Sequence, residues 1–281
     1  MTTPQPLNID SRTVVGFGEE WAAFDQSGMP AAEHRALFDS YFSVFPFENL
    51  PARPEGFDLG CGSGRWALLM AERVGLLHCI DPSQVALDVA RRRAGNLTNL
   101  RFHHADASSI PLSDASQDFG YSLGVLHHIP DTEAAMRDCV LKLKTGAPFL
   151  LYLYYDFENR PGWFRQLWKL SELGRSIIHR LPFPWRKAIT SLIAAGVYFP
   201  LARLALLLDV LGFDVPAFPL GAYRRKSFYT MRTDALDRFG TRLEQRFSKA
   251  QIEAMMARSG LTDIVFREGV PYWVACGRRA A

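Results

Sequence analysis

The sequence predicts a doubly wound α/β fold from three observations. Short apolar runs alternate with helical apolar periodicity between residues 56 and 153, as in successive βαβ units. A glycine-rich turn joins the first predicted strand to the helix that follows it. The 281-residue chain has 48% hydrophobic and 22% charged residues, which is an ordinary globular composition. Right-handed crossovers between parallel strands then favour the doubly wound arrangement.

Seven strands and four helices follow from this pattern. The predicted strands are 57–59, 76–80, 100–103, 119–123, 149–155, 264–266 and 272–276. The predicted helices of this region are 66–74, 83–94, 132–143 and 248–258. We therefore expect a Rossmann-like, doubly wound, mostly parallel seven-stranded sheet, which a C-terminal antiparallel hairpin completes after a turn at Gly269 and Pro271.

A basic and aromatic segment interrupts the alternation. Residues 160–226 contain eleven Lys or Arg and three acids, a net charge of +8, and their cations interleave with Trp, Phe and Tyr. Leucines and isoleucines at near-helical spacing between residues 170 and 181 predict helices in this segment. We expect a helical insertion, and a chain of four parts: 1–50 an N-terminal helical cap, 51–156 the core, 157–246 the insertion, and 247–281 the closing helix and hairpin.

Cysteine spacing and charge argue against several classes of protein. The four cysteines form no C-x-x-C pair, which disfavours a disulfide scaffold or zinc ribbon and favours a reducing compartment. A formal charge of +3 does not by itself indicate a nucleic-acid partner. Polar residues and a proline interrupt the most apolar stretch, 188–211, so we predict no transmembrane segment. We expect a cytoplasmic protein, with contact to a membrane surface left open.

The strongest functional signal is the motif Asp58–Gly64, which reads D-L-G-C-G-S-G after a strand and before a helix. Its glycines allow a tight turn and a close approach to a ligand that a Cβ atom would block. A dinucleotide fingerprint, G-x-G-x-x-G, requires glycine at the position that Arg65 occupies. The motif therefore disfavours pyrophosphate and still allows a ligand without phosphates.

Two further aspartates lie where a nucleoside is expected. Asp81 ends the second strand 23 residues after Asp58, a spacing typical of an acid that binds both hydroxyls of a ribose. It equally suits the N-terminus of the next helix. Asp106 follows the third strand, where its carboxylate would accept the amine of an adenine or serve a surface turn.

Two histidine clusters, His103-His104-x-Asp106 and His127-His128-x-x-Asp131, invite a metal interpretation. Neighbouring residues on a strand point to opposite faces, so neither His-His pair would chelate one ion from a regular strand. We therefore predict no metal site.

Together these motifs resemble the class I S-adenosylmethionine-dependent methyltransferases, of the type with a ubiquinone/menaquinone-methyltransferase-like catalytic domain. The resemblance covers residues 50–155 well and the last helix and hairpin loosely. It implies that the methionine part of S-adenosylmethionine is wrapped by Asp58, Gly60, Cys61, Gly62 and Gly64. It further implies ribose contacts from Asp81 and Pro82, adenine contacts from Asp106 and Ala107, and a border with the sulfonium and acceptor formed by Leu123, His127 and His128.

The resemblance also suggests a mechanism. We expect methyl transfer to an oxygen or nitrogen of a small or lipophilic acceptor, with His127 or His128 as a base or as a structural residue only. Tyr154, Tyr155 and Asp156 are expected beside the acceptor. An N-terminal helix, with Phe17 or Trp21, either walls the cofactor site or packs on the sheet edge.

The insertion leaves its own alternatives open. Its cations and aromatic residues suit a lid over the substrate, a peripheral membrane or lipid contact, or, less favoured, nucleic acid. Rival functions are a non-catalytic cofactor-binding or membrane-associated interaction module, a nicotinamide oxidoreductase that Arg65 disfavours, and an RNA methyltransferase. The oligomeric state is not predicted.

Overall fold

The computed structural model describes residues 8–158, 160–215, 218–270 and 272–281. The predicted turn residue Pro271 lies outside these ranges. The chain divides into two compact units. Unit 1 contains the described residues up to Trp21, Leu37–Asp156 and Leu243–Ala281, and unit 2 contains Ala22–Ala36 and the described part of Phe157–Arg242. The four-part division expected from the sequence stays a prediction.

Seven strands form the sheet of unit 1. They are β1 Glu55–Leu59, β2 Leu76–Asp81, β3 Leu100–His104, β4 Phe119–Leu123, β5 Pro148–Tyr152, β6 Leu261–Phe266 and β7 Val274–Arg279. Their order in the sheet is β3-β2-β1-β4-β5-β7-β6. The first five strands pair in parallel, whereas β7 is antiparallel to β5 and to β6. The predicted fold class, a doubly wound and mostly parallel sheet with a C-terminal antiparallel hairpin, is confirmed.

The described residues form ten α-helices. They are α1 Ser11–Ala23, α2 Ala31–Tyr41, α3 Ala67–Met70, α4 Gln84–Ala94, α5 Thr132–Lys142, α6 Gly162–Ile178, α7 Phe183–Ile193, α8 Phe199–Val210, α9 Phe228–Gly240 and α10 Lys249–Arg258. The helix predicted over 66–74 is shorter than expected. The side-chain amide of Asn99 donates to the carbonyls of Ala71 and Val74, at 2.8 and 3.0 Å, and so satisfies the acceptors that end this segment.

Apolar side chains cover both faces of the central strands. Every residue of β4 is buried, as expected of an inner strand of a parallel sheet. At Gly120 a Cβ atom would lie 2.4 Å from the ring of Phe57, so this glycine makes room for a ring of the neighbouring strand. This packing fixes the strand ends, and with them the carboxyl edge of the sheet where the predicted site residues lie.

Unit 2 is helical. Its core is a cluster in which Ala194, Tyr198 and Ala202 pack with Met231 and Ala235 of α9. The segments α7 and α8 are joined by a π-helical turn, Ala194–Tyr198, into one continuous helix, Phe183–Val210, which we call the long helix.

The residues expected to interrupt the apolar stretch do not break the long helix. Pro200 lies in the first turn of α8, directly after the π turn. A proline is tolerated there because its missing N–H has no obligatory partner at a point where the hydrogen-bond register shifts. Among the residues that the structure describes, the long helix is the one that is long and apolar enough to cross a membrane by length and composition.

Candidate functional site

The glycine-rich loop after β1 is held by the end of β2. The backbone amides of Gly60 and Cys61 both donate to the carbonyl of Ile80, at 2.7 and 3.1 Å. Gly60, Gly62 and Gly64 have φ angles of +77°, +52° and +74°. Residues with a Cβ atom rarely adopt these angles, so the loop conformation explains the glycines of the motif.

Close neighbours crowd the same loop. A Cβ atom at Gly60 would lie 2.4 Å from both methyl groups of Val125, which follows β4. A Cβ atom at Gly62 would lie 2.8 Å from the indole nitrogen of Trp21 in α1. Trp21 therefore lies against the loop, as one of the two alternatives for the N-terminal helix requires.

Asp58 is a buried acid directly before this loop. Burial raises the pKa of its carboxyl to about 8; the hydroxyl of Tyr121 lowers that pKa, and the carboxyl of Asp81 raises it further. Its Oδ2 atom has no hydrogen-bond partner of good geometry among the described residues. A buried carboxyl in this state suits a ligand that brings a hydrogen-bond donor or a positive charge.

Asp81 connects the loop to the next helix. Its Oδ2 atom accepts from the amide of Gly62 at 2.9 Å, and its Oδ1 atom accepts from the amide of Ser83 at 2.8 Å. Burial raises the pKa of Asp81 to about 6, and the hydrogen bonds from Ser83 and Gly62 oppose this rise. The other interpretation of Asp81, as the residue that starts the next helix, holds in part. Asp81 accepts from the amide of Ser83, but Ser83 itself is the N-cap of α4. Pro82 contributes its carbonyl, which lies 2.9 Å from Nε2 of His104.

Asp106 forms a turn after β3. Its Oδ1 atom accepts from the amide and hydroxyl of Ser108, at 2.9 and 2.8 Å, and from the hydroxyl of Ser109 at 2.9 Å. These bonds are those of a turn residue, the alternative weighed from the sequence, and its adenine contact stays a prediction. Ala107 is buried behind it.

The two candidate bases differ in their surroundings. Both lie in a 3₁₀ turn, Leu126–His128, beyond β4 rather than on the strand itself. His127 is fully buried, both of its ring nitrogens lack a hydrogen-bond partner among the described residues, and burial holds its pKa well below the ordinary value. His127 therefore stays neutral near pH 7 and makes a poor proton acceptor.

His128 has a defined orientation. Its Nδ1 atom lies 2.6 Å from the carbonyl oxygen of Leu243, which accepts, so Nδ1 carries the proton. In the neutral ring Nε2 then presents its lone pair, and this buried atom has no hydrogen-bond partner among the described residues. This arrangement of a fixed tautomer with a second, unpartnered nitrogen is the one a general base requires.

A row of aromatic rings runs along this part of unit 1, and we call it the aromatic row. Successive ring centroids are 4.9, 4.0, 3.9, 5.8, 5.1 and 5.0 Å apart. In order, its members are Phe17, His128, His127, Tyr154, Tyr152, Tyr41 and Trp66. Phe17, Tyr154, Tyr152 and Tyr41 are half-buried and thus partly accessible.

The sequence identified only part of the aromatic row. Tyr154 was expected at the end of β5, but that strand ends at Tyr152, and Tyr155 instead bridges to Phe247. Tyr152 was missed, although its position two residues before Tyr154 placed both on one side of an extended segment. Tyr41 was missed because it belongs to none of the sequence motifs. It lies at the end of α2, in a segment that is rich in aromatic residues.

The remaining predicted site residues lie in the core. Cys61 and Leu123 are 4% and 8% exposed, so their side chains pack against the interior while their backbones border the loop and the end of β4. The four cysteines are free and buried. Within the described ranges, no three His, Cys, Asp or Glu side chains are grouped to hold a metal ion.

Comparison with known families agrees with this geometry. Residues 57–151 match the family model described as "Methyltransferase domain". The resemblance to the class I S-adenosylmethionine-dependent methyltransferases is therefore confirmed over these residues. The predicted enzyme class and cofactor, S-adenosylmethionine, are thereby confirmed. The glycine loop with its positive φ angles, and the orphaned Oδ2 atom of Asp58, fit the amino-acid end of that cofactor.

Curated relatives of this chain match over part of their length. An uncharacterised 37.1 kDa protein in transposon Tn4556 of Streptomyces fradiae is 34% identical over 117 residues, 40% of this chain and 34% of its own length. A demethylmenaquinone methyltransferase of Staphylococcus epidermidis is 28% identical over 102 residues, 35% of this chain and 42% of its own length. The chain thus spans less than half the length of these relatives.

Solved structures share the fold. The S-adenosylmethionine-dependent methyltransferase SibL, in its apo form, is 15% identical with a TM-score of 0.52, covering 89% of this chain and 56% of SibL. The phosphoethanolamine N-methyltransferase 2 of Haemonchus contortus is 16% identical with a TM-score of 0.50, covering 92% of this chain and 44% of that one. At such identities the likeness establishes the architecture alone.

Proposed function

We propose that this chain transfers the methyl group of S-adenosylmethionine to an oxygen or nitrogen atom of a small or lipophilic acceptor, with His128 as the general base. The observation that carries the proposal is the orientation of His128, whose Nδ1 proton is fixed by the carbonyl of Leu243 while Nε2 lies buried and unpartnered. The demethylmenaquinone methyltransferase activity named for one relative supports a lipophilic acceptor.

All the residues that we assign to the cofactor site belong to unit 1. Gly60, Gly62 and Gly64 shape the loop for the methionine part, Asp58 accepts from its amino group, and Asp81 accepts from the ribose hydroxyls. Asp106, Ala107 and Pro82 lie on the adenosine side. When bound, S-adenosylmethionine supplies a methyl group on a positively charged sulfur, which a nucleophile can attack without further activation of the methyl.

The chain's own residues then have two tasks. The first is to hold the acceptor in line and exclude water, which is the role we assign to the half-buried rings of Tyr41, Tyr152 and Tyr154. Such positioning can contribute on the order of 7–11 kcal/mol to a barrier. The second is to take the acceptor's proton at Nε2 of His128, a step worth about 10²–10⁴-fold in rate.

His127 has a structural role in this proposal. Its ring stacks on Tyr154 at 3.9 Å, and its backbone carbonyl accepts from the amide of Gln245 at 3.0 Å. It therefore supports the aromatic row and the turn that carries His128. We further propose a cytoplasmic location, in accord with four free, buried cysteines.

The test starts from methyl-labelled S-adenosylmethionine, incubated with the full chain and with the organic and aqueous fractions of a cell extract. Label in the organic fraction supports a lipophilic acceptor. Label in neither fraction would favour the non-catalytic binding module, and label in RNA would favour the RNA methyltransferase.

The base is tested by single-turnover rates with the labelled fraction as acceptor. His128→Asn keeps an amide donor for Leu243 and removes Nε2, so we expect a loss of about 10²–10⁴-fold and a flattened pH profile. The matched variant His127→Asn removes a supporting ring but no proton acceptor, so its loss of rate should be clearly smaller. Unchanged affinity for S-adenosylhomocysteine in both variants shows that the site is intact. Equal rates in His128→Asn and wild type across pH would eliminate His128 as the base.

A further inference from the structure

The long helix of unit 2 exposes an unbroken apolar face. Its range, extended by one residue to Leu211, lies wholly within the described residues, and every exposed residue in it is apolar. These residues are Pro184, Trp185, Ala188, Leu192, Ala195, Gly196, Val197, Phe199, Pro200, Leu204, Leu207, Val210 and Leu211. A helix on the surface of a soluble domain normally turns a polar face to water.

Residue size is also reversed between the two sides of this helix. Its fully buried residues are small: Ala194, Ala202 and Ala205 have no exposed surface, and Tyr198 is the one large side chain among the buried residues of this helix. Its outer side carries large ones, and Leu192 and Val210 are each 71% exposed. In water, burying the leucines would be the more favourable arrangement. In a lipid environment, small residues pack helix against helix and large apolar residues face the hydrocarbon.

The charged side chains of the long helix are turned towards unit 2. Arg186 donates to the carbonyl of Gly240 at 3.0 Å, and Arg203 donates to the carbonyl of Arg224 at 2.7 Å. Asp209 forms an ion pair with Arg225 at 2.9 Å, and the ammonium nitrogen of Lys187 lies 5.2 Å from the ring centroid of Phe24. These groups are therefore satisfied within the unit and leave the outer face free of charge.

The positive charge of unit 2 indicates which kind of partner binds this face. Residues 160–226 carry a net charge of +8, and the cations Arg165, Lys169, Arg180 and Arg225 are exposed. Exposed cations beside an apolar helix face with a tryptophan, here Trp185, are typical of segments that bind anionic membrane surfaces. A neutral apolar partner would gain nothing from these cations.

The neighbouring helix decides between spanning and surface binding. The long helix packs along α9, which carries Arg232, Asp234, Asp237 and Arg238. A spanning orientation would take these charges into the hydrocarbon, at high cost. We propose that the exposed face of the long helix inserts into the surface of an anionic phospholipid bilayer, with the helix axis parallel to the membrane plane.

The experiment is vesicle flotation with the full chain, using phosphatidylcholine vesicles with and without phosphatidylglycerol. We expect the wild type to float with the anionic vesicles and to be released partly by high salt. Leu207→Glu should lower the bound fraction at least about tenfold, since it puts a charge in place of an inserted leucine. The matched control is Leu141→Glu on α5 of unit 1, a leucine of similar exposure, which should bind as the wild type does.

The same variants separate the other outcomes. Unaltered thermal unfolding and S-adenosylhomocysteine affinity in Leu207→Glu show that the fold is retained, so a loss of binding belongs to the face itself. Absence of flotation, equal binding to neutral vesicles, or equal binding of Leu207→Glu and wild type would each overturn the proposal. So would a wild type that self-associates without lipid and becomes monomeric in Leu207→Glu, because the face would then cover a second copy. Flotation needs no methyl transfer, so its result is independent of the proposed function.

Discussion

The two units of this chain use apolar residues in different ways. Unit 1 has a core of fully buried large side chains, among them Phe57, Leu77 and Leu87. The long helix of unit 2 buries alanines and exposes Leu204 and Leu207. The same chain thus follows the rule for a water-soluble core in one unit and departs from it in the other. The departure identifies the surface for which water is not the expected neighbour.

The largest expected difference between the units is in stability. Leu87→Ala in unit 1 leaves a cavity in a packed core and should lower the free energy of unfolding by about 2–5 kcal/mol. Leu207→Ala in unit 2 removes a side chain that is 54% exposed and should change that energy by less than about 0.5 kcal/mol. Urea denaturation of both variants measures the difference. Equal destabilisation would show that Leu207 is buried in solution and would break the comparison.

Affinity for the cofactor should fall when a Cβ atom is added to the crowded glycine loop of unit 1. Gly62→Ala would place a Cβ atom 2.8 Å from the indole nitrogen of Trp21, and we expect about a hundredfold loss of affinity for S-adenosylhomocysteine by calorimetry. Gly95→Ala is the matched control, because Gly95 has a φ of +54° but no neighbour within 4 Å of its Cβ position. A similar loss in both variants would mean that backbone strain, and not contact with the loop, is responsible. Neither variant should alter vesicle flotation.

A smaller effect should appear as a pH dependence of cofactor binding. With a pKa of about 8, Asp58 is protonated in the ligand-free protein near pH 7, whereas a bound ammonium group favours its ionised form. The affinity for S-adenosylhomocysteine should therefore rise between pH 6 and 8, by at most about tenfold per pH unit, and level off above that range. Asp58→Asn should remove this slope in calorimetric titrations, and a slope that survives would assign the titration to another group.

The same carboxyl links pH to the stability of the ligand-free protein. Its pKa in the folded state lies above the ordinary value of 3.8, so the folded chain keeps this proton where the unfolded chain has lost it. The free energy of unfolding should consequently fall as the pH rises from 3.8 to about 8. Asp58→Asn should weaken that fall.

Most of the sheet was predictable because its signals are local. Apolar runs bounded by turns mark strands, and the glycine loop between a strand and a helix fixes the start of the domain. The closing hairpin was predictable too, but the pairing of β7 rather than β6 with β5 was not. The long helix was underestimated because Pro200 and Arg203 read as interruptions, whereas a π turn accommodates the proline and backbone carbonyls accept from the arginine.

In the candidate site, too, residues with a local sequence signal were predictable and those fixed by long-range contacts were not. Asp58 and Asp81 were identified because their places relative to strand ends are sequence properties. The distinction between His127 and His128 was not, since it depends on the carbonyl of Leu243, which lies 115 residues away along the chain. Tyr41 entered the aromatic row for the same reason, through contact with Tyr152 and Trp66. Long-range contacts of this kind leave no local pattern in the sequence.

The indole of Trp21 lies against the backbone of Gly62, within the loop that we assign to the methionine part of the cofactor. Tryptophan emission responds to the polarity of its surroundings, so this side chain is a built-in optical sensor of ligand entry. Stopped-flow fluorescence on the unlabelled chain would then time the arrival of the cofactor, with Trp21→Phe as the silent reference.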